Sequence, residues 1–222
     1  ASPVAPAASS FLDVTAAGGV RTGTGPSSSS SSKEKTSTLS GDQQTQLNAF
    51  RARLHTSTDP AVKKAMADER FADDGYLWKF VAARQGNLDK AVAMITAHFQ
   101  WRVKVQCDQV VAQHRAGKLF DPETIKKLKK CYPHGYFGVD RQGYPVYYER
   151  VGQVNVTKLL ALMETEEAFL KYFMAEAETT QWVRMPAARQ YAEDRMIEGA
   201  EQISKGVSVL DVSGIGMGFL GK

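Results

Sequence analysis

Apolar residues recur at helical spacing through the first half of the chain and predict four helices. The predicted buried lines of three of them are Leu47, Phe50 and Leu54; Leu77, Phe80 and Val81; and Leu88, Val92, Ile95, Phe99 and Val103. The remaining helix is more polar and runs, after the Asp59-Pro60 break, through Lys63, Met66 and Arg70. Asp73 or Asp74 and Asn87 are the predicted N-caps of the last two helices, because their side-chain oxygens can accept from first-turn N–H groups.

The second half of the chain mixes helices with short aromatic or β-branched runs. Residues 132–152 predict a β-hairpin, since two aromatic arms flank the turn Asp140-Arg141-Gln142-Gly143. The β-branched run from Val207 to Val212 predicts a strand buried in a parallel sheet. The predicted helix starts in this half are Asp121-Pro122, Asn155 and Thr165. Pro186 is predicted to end the last, long helix. This order predicts an α/β domain behind a small all-helical domain.

The composition divides the chain into three predicted segments. Residues 1–41 are rich in Ser, Ala, Gly, Thr and Pro, and we expect a disordered tail there. Arg21, Lys33 and Lys35 are too few basic residues to favour a transit peptide. Residues 42–115 form the predicted helical domain, and residues 116–222 the first part of the α/β domain.

Charge and cysteine usage narrow the function classes. The net charge is +4, and residues 115–130 carry six basic and two acidic residues. This basic segment could bind an anionic membrane surface or a phosphate group, or it could simply be the solvent-exposed face of a helix. Cys107 and Cys131 are not at zinc-binding spacing, and we expect both to be reduced in a cytosolic-type compartment. The four histidines are scattered, so we expect no metal site. No apolar run approaches the ~18 residues of a transmembrane helix.

The aromatic hairpin is the first candidate site. Tyr136 and Tyr147 offer an apolar ring with a hydroxyl donor and acceptor, which suits a pocket for a partly polar ligand. The alternative is that these rings only pack a core.

Arg84 is the second candidate, because it continues the apolar line of Leu77, Phe80 and Val81. One interpretation is that its guanidinium binds a ligand anion. The other is that it neutralises the helix C-terminus or pairs with a carboxylate.

Four ordered blocks of sequence carry a family resemblance. They are ADDGYLWKFVAARQGNLDKAVAMITAHFQWR, YPHGYFGVDRQGYPVYYERVG, TEEAFLKYFMAEAE and VSVLDVSGIG. Together they resemble the CRAL-TRIO lipid-binding family, and most closely its phosphatidylinositol/phosphatidylcholine transfer proteins of the secretory pathway. The resemblance implies a sheet floor with helices around it, and a non-catalytic protein that binds and transfers one phospholipid between membranes.

The resemblance also implies residue roles. Tyr136, Tyr147 and Ser208 correspond to phosphatidylcholine head-group contacts, with Glu149 nearby, and Arg84 to a basic residue associated with phosphoinositide handling. A choline group could also lie against a tyrosine face. Two positions depart from the family: Gln85 replaces a lysine and Gly206 replaces a second head-group hydroxyl. The later strands, the lid helix and the inositol-phosphate contacts are expected beyond Lys222.

The partners follow from the same resemblance. We expect phosphatidylinositol and phosphatidylcholine as ligands, no cofactor, transient contact with phospholipid membranes, no nucleic acid and a monomer. The expected location is the cytoplasm, peripherally on Golgi or other internal membranes. Alternatives are a CRAL-TRIO protein-interaction or membrane-targeting module, or a carrier of another small hydrophobic ligand.

Two enzyme classes are disfavoured by the motifs. Residues 214–218 only partly match the nucleotide-binding GxGxxG, and no ribose-binding acid follows them. Ser208 lacks the G-x-S-x-G context of a hydrolase nucleophile. His134 and Asp211 are the residue types that would complete a catalytic triad with Ser208, but no motif links the three.

Overall fold

The computed structural model describes residues 39–200 and 204–216. The described chain divides into two compact units, one ending at Asp108 and the other beginning at Gln109. A disordered tail was predicted for residues 1–41, and residues 1–38 of it lie outside the described residues. Its last residues start a helix instead, because Ser40 and Gln43 form a reciprocal capping box.

The first unit is helical, as predicted. Its helices are α1 (Gly41–His55), α2 (Pro60–Met66), α3 (Glu69–Ala72), α4 (Asp74–Ala83) and α5 (Leu88–Lys104). The predicted caps of α4 and α5 are confirmed: the Asp73 side chain accepts from the Tyr76 N–H at 2.9 Å, and Asn87 from the Lys90 N–H at 3.0 Å. The predicted second helix is wrong in its extent, because α2 ends at Met66 and a separate N-cap at Asp68 starts α3.

Two of the predicted buried lines are wrong at their ends. Val103 is 54% exposed, while Arg102 is 5% exposed and pairs with Asp108 at 2.9 Å. The buried face of α5 therefore ends on a paired arginine, whose guanidinium carbon lies 4.7 Å from the centre of the Phe71 ring. In α4 the buried line ends at Val81, and Arg84 is exposed at the C-cap.

In the second unit, helices surround a small sheet. Its elements are α6 (Cys107–Arg115, which begins in the first unit), α7 (Pro122–Cys131), β1 (His134–Val139), β2 (Pro145–Glu149), a 3₁₀ turn (Val151–Gln153), α8 (Val156–Met163), α9 (Glu166–Thr179), a π-helical turn (Thr180–Arg184), α10 (Met185–Glu193) and β3 (Val207–Leu210). The caps predicted at Asp121, Asn155 and Thr165 are confirmed. The sequence reasoning missed α6. The predicted boundary between the two domains, after residue 115, coincides with the end of this helix.

The three strands form a mixed sheet in the order β1-β2-β3. β1 and β2 form the predicted antiparallel hairpin, and β3 runs parallel to β2. In the hairpin turn, Asp140 Oδ1 accepts from the backbone N–H groups of Gln142 and Tyr144, both at 2.9 Å, and Gly143 adopts a φ of 86°. Helices around a mixed sheet confirm the predicted α/β class.

Two predictions for this unit are wrong. Pro186 does not end the helical run, because the π-helical turn precedes it and places the proline in the first turn of α10, where its missing N–H costs little. The strand β3 is not buried: Val207 is 38% and Leu210 is 55% exposed. Within the described residues β3 is an edge strand, so only one of its sides is paired.

The core next to the sheet joins α7, α8 and α9. Its buried members are Leu128, Cys131, Tyr132, Leu159, Met163 and Tyr172. Cys107 and Cys131 are both buried free thiols. None of the described helices is both long and apolar enough to cross a membrane.

Candidate functional site

Three of the five predicted site residues lie in one row across the sheet. Tyr136 of β1 pairs with Tyr147 of β2, and Tyr147 pairs with Ser208 of β3. Residues paired in this way project from the same face. The two tyrosine rings are in contact, with centroids 5.2 Å apart. Tyr136 and Tyr147 are half-buried, while Ser208 is exposed on the edge strand.

Glu149 lies on the same face, two residues beyond Tyr147. It is paired in register with His134, and Tyr132 donates a hydrogen bond to its Oε1. Burial, aided by the nearby Glu149 carboxylate, raises the pKa of Tyr147 to about 12. The Tyr147 hydroxyl is therefore protonated near neutral pH and can donate a hydrogen bond to an anionic oxygen.

His134 is a structural residue of this face. Burial, together with the Lys129 charge, lowers the pKa of His134 to about 4, so its imidazole is neutral near pH 7. Nδ1 lies 2.8 Å from the Tyr132 carbonyl and must donate to it, which leaves Nε2 to accept from the Tyr172 hydroxyl at 2.9 Å. Both ring nitrogens are thus engaged, and Asp211 accepts from Ser213. The arrangement of Ser208, His134 and Asp211 is not a catalytic triad.

A cavity of about 740 Å³ lies beside β1 and β2. Its polar or charged lining consists of Lys129, His134, Tyr136, Glu149, Arg150, Glu176, Arg184 and Asp211. Ile125, Phe137, Tyr148 and Val209 supply apolar wall. Tyr136 and Glu149 thus line the cavity directly, whereas Tyr147 and Ser208 lie outside its lining and adjoin Tyr136 through the sheet. This volume lies in the range of small-molecule sites, while the lining is more charged than in most of them.

A buried ion pair forms part of the cavity wall. Arg184 is 3% exposed, and its Nη2 lies 3.1 Å from Glu176 Oε2. Burial alone would raise the pKa of Glu176, but the neighbouring His114 and the Arg184 charge outweigh it and lower the pKa to about 2. Glu176 is therefore ionised at neutral pH, and the cavity wall carries a fixed pair of opposite charges.

Sequence reasoning missed four charged residues of this cavity. Lys129, Glu176 and Arg184 come from α7, α9 and the π-helical turn, and Arg150 directly follows β2. No sequence pattern singles out Glu176 and Arg184, because the same helical run carries several other charged residues. Arg84 belongs to the other compact unit and is exposed there. Among the described residues, no group of His, Cys, Asp and Glu is arranged to hold a metal ion.

Comparison with known proteins decides the family. No family model matches the chain. Two phosphatidylinositol/phosphatidylcholine transfer proteins of Arabidopsis thaliana are similar to it: one is 33% identical over 149 residues, which is 67% of this chain and 25% of that protein, and the other is 34% identical over 139 residues, 63% and 21%. A CRAL-TRIO domain-containing protein of Saccharomyces cerevisiae is 28% identical over 145 residues, 65% of this chain and 44% of that protein. The chain belongs to the CRAL-TRIO family.

This CRAL-TRIO chain spans less than half the length of these relatives, and about a quarter of the first. The matched segments are 149 and 139 residues long, or 67% and 63% of the chain. Family membership and the α/β fold therefore rest on independent observations, one from sequence similarity and one from the strand order.

Proposed function

We propose that this CRAL-TRIO protein binds a phospholipid, phosphatidylinositol or phosphatidylcholine, and transfers it between membranes without catalysis. The row of Tyr136, Tyr147 and Ser208 beside a 740 Å³ cavity carries the proposal. The printed names of the Arabidopsis relatives support it. Two tyrosine hydroxyls and a serine hydroxyl can donate to the phosphate oxygens of a phosphatidylcholine head group, to which the resemblance assigns all three residues.

The charge of the cavity also supports a phospholipid head group. Three cationic residues line the cavity, namely Lys129, Arg150 and Arg184. Three anionic residues balance them, namely Glu149, Glu176 and Asp211. A lining without formal net charge can hold a zwitterionic head group with little electrostatic cost, because each ligand charge finds an opposite one nearby.

Transient membrane contact belongs to the same proposal. Helix α7 exposes Lys126, Lys127 and Lys130 to solvent, while Ile125 and Lys129 of the same helix line the cavity. A basic face beside the cavity would hold the protein at an anionic bilayer while lipid is exchanged. We further propose that the protein acts as a monomer in the cytoplasm, without a cofactor or a nucleic-acid partner, peripherally on Golgi or other internal membranes.

Substitutions in the full-length protein test the ligand assignment. Tyr136→Phe together with Tyr147→Phe should weaken phosphatidylcholine transfer between vesicles more than phosphatidylinositol transfer, because the resemblance assigns both hydroxyls to the phosphatidylcholine head group. Each lost hydroxyl bond contributes roughly 0.5–1.5 kcal/mol. Arg84→Ala, in the other compact unit, should instead lower phosphatidylinositol transfer more, because the resemblance assigns Arg84 to phosphoinositide handling.

The matched control removes two hydroxyls elsewhere, with Tyr76→Phe and Tyr191→Phe. This control should leave the ratio of the two transfer rates unchanged. If the paired substitution at Tyr136 and Tyr147 leaves both rates unaltered in a folded protein, these residues are not part of the site.

A further inference from the structure

Arg184 lies against the face of a candidate head-group residue. Its guanidinium carbon is 4.7 Å from the centre of the Tyr136 ring, and its side chain is 3% exposed. A guanidinium over an aromatic face is attracted by the ring quadrupole, most strongly where water is excluded. Tyr136 also contacts Tyr147, with ring centroids 5.2 Å apart, so its ring is held from two sides.

The helix that carries Arg184 fixes the guanidinium in place. Nη1 donates to the Glu176 carbonyl at 3.3 Å and to Thr180 Oγ1 at 3.0 Å, and Nη2 donates to Glu176 Oε2 at 3.1 Å. Arg184 ends the π-helical turn Thr180–Arg184, and single π turns occur frequently at functional sites. The planar guanidinium is therefore oriented by its own helix, independently of any ligand.

We propose that Arg184, held by Glu176, is a positioning residue that fixes the Tyr136 ring and thereby sets head-group selectivity. This inference rests on the proposed function. Since the guanidinium covers one face of the ring, a quaternary ammonium group cannot use that face. Tyr136 contributes its hydroxyl to the ligand, and the direction of that hydroxyl depends on the ring orientation that Arg184 maintains.

Binding of fluorescent phosphatidylcholine and phosphatidylinositol to the full-length protein tests the inference in a double-mutant cycle. Arg184→Lys keeps the positive charge but loses the planar guanidinium group and the fixed directions of its hydrogen-bond donors. It should lower the ratio of phosphatidylcholine to phosphatidylinositol affinity by about threefold or more. In the Tyr136→Leu background, which has no ring to position, Arg184→Lys should leave the ratio unchanged.

Arg102→Lys is the matched control. Arg102 is also a buried arginine, paired with an acid and 4.7 Å from the centre of an aromatic ring, but it belongs to the other compact unit. This variant should lower the melting temperature without changing the affinity ratio. If Arg184→Lys does not fold, Arg184→Gln with Glu176→Gln leaves no buried charge unpaired, and it should show the same threefold loss of ratio, within about twofold.

The outcomes separate the two proposals. An unchanged ratio, an increased ratio, or an equal effect of Arg184→Lys in both backgrounds overturns the positioning role while the wild-type protein still binds phospholipid. A wild-type protein that binds neither lipid overturns the proposed function and this inference together.

Discussion

Asp140 closes the hairpin that carries both candidate tyrosines. Its Oδ1 accepts two backbone hydrogen bonds, from the N–H groups of Gln142 and Tyr144, and its own N–H donates to the Tyr144 carbonyl. A side chain that binds two backbone groups in a turn fixes where the second arm begins. The pairing of Tyr136 with Tyr147 depends on that starting point.

We expect Asp140→Ala to lower the free energy of unfolding by about 1–3 kcal/mol, because two hydrogen bonds of roughly 0.5–1.5 kcal/mol each are lost. Denaturant titration followed by tyrosine and tryptophan fluorescence measures the change. Arg141→Ala, at the exposed neighbouring position, should change stability by less than about 0.5 kcal/mol. Equal effects of the two substitutions would contradict this role of Asp140.

Helix α7 has three environments along ten residues. Leu128 is fully buried, Ile125 and Lys129 line the cavity, and the remaining lysines face solvent. One short helix thus connects the core, the ligand cavity and the surrounding solution. A charged exposed face on such a helix can bring the cavity to a bilayer without an apolar anchor.

Reversing the exposed charges tests this proposed membrane face. The triple substitution of Lys126, Lys127 and Lys130 to Glu should weaken binding to vesicles that contain anionic lipid by about 1 kcal/mol or more per lysine, and added salt should reduce the difference. Vesicle co-sedimentation with and without phosphatidylserine measures it.

The control for net charge is the triple substitution of Lys63, Lys64 and Lys90 to Glu, which are exposed lysines of the first unit. Vesicle binding that falls equally in both variants would show a general charge effect and would remove α7 as a specific membrane face.

The helix starts could be predicted because the information is local. Asp73, Asn87, Asp121, Asn155 and Thr165 each accept from a backbone N–H of the helix that follows. Helix α6 was missed because no capping residue marks its start and no extended line of apolar residues runs along it. The end predicted at Pro186 was wrong because a π turn changes the hydrogen-bond pattern before the proline, and composition does not reveal it.

The site could be predicted only in part, because its geometry is set by tertiary packing. The resemblance placed Tyr136, Tyr147 and Ser208 in one site, and the strand pairing brings them into one row. The contact of Arg184 with Tyr136 depends on where this helical run packs on the sheet, which no residue spacing specifies. The pairing of Glu176 with Arg184 depends on the π-helical turn that precedes Arg184, which composition does not reveal.

The buried polar network of the second unit should make the whole molecule sensitive to acid. The pKa of His134 falls from 6.5 to about 4 on folding, so between these values the unfolded chain binds more protons than the folded chain. Stability is therefore lost as the pH falls from 6.5 to 4, by at most about 3 kcal/mol. Glu176, with its pKa lowered from 4.5 to about 2, extends the loss to lower pH.

Denaturant titrations at pH 7 and pH 4.5 measure this effect. His134→Gln keeps a donor and an acceptor but does not titrate, so the difference in stability between the two pH values should shrink by about 2 kcal/mol. His55→Gln, at an exposed position, should leave the difference unchanged. An identical pH dependence in wild type and His134→Gln would exclude His134 as the source.

The parallel pairing of β2 with β3 bears on the order in which the protein folds. The hairpin that joins Tyr136 to Tyr147 is local, and hairpins form within about 1–10 μs. Tyr147 and Ser208, in contrast, are separated along the chain by α8, α9 and α10, so their pairing must wait for a long loop to close. The tyrosines therefore meet early and the serine joins them late, and a newly made chain would acquire its full row of hydroxyls only after the segment as far as β3 has been synthesised.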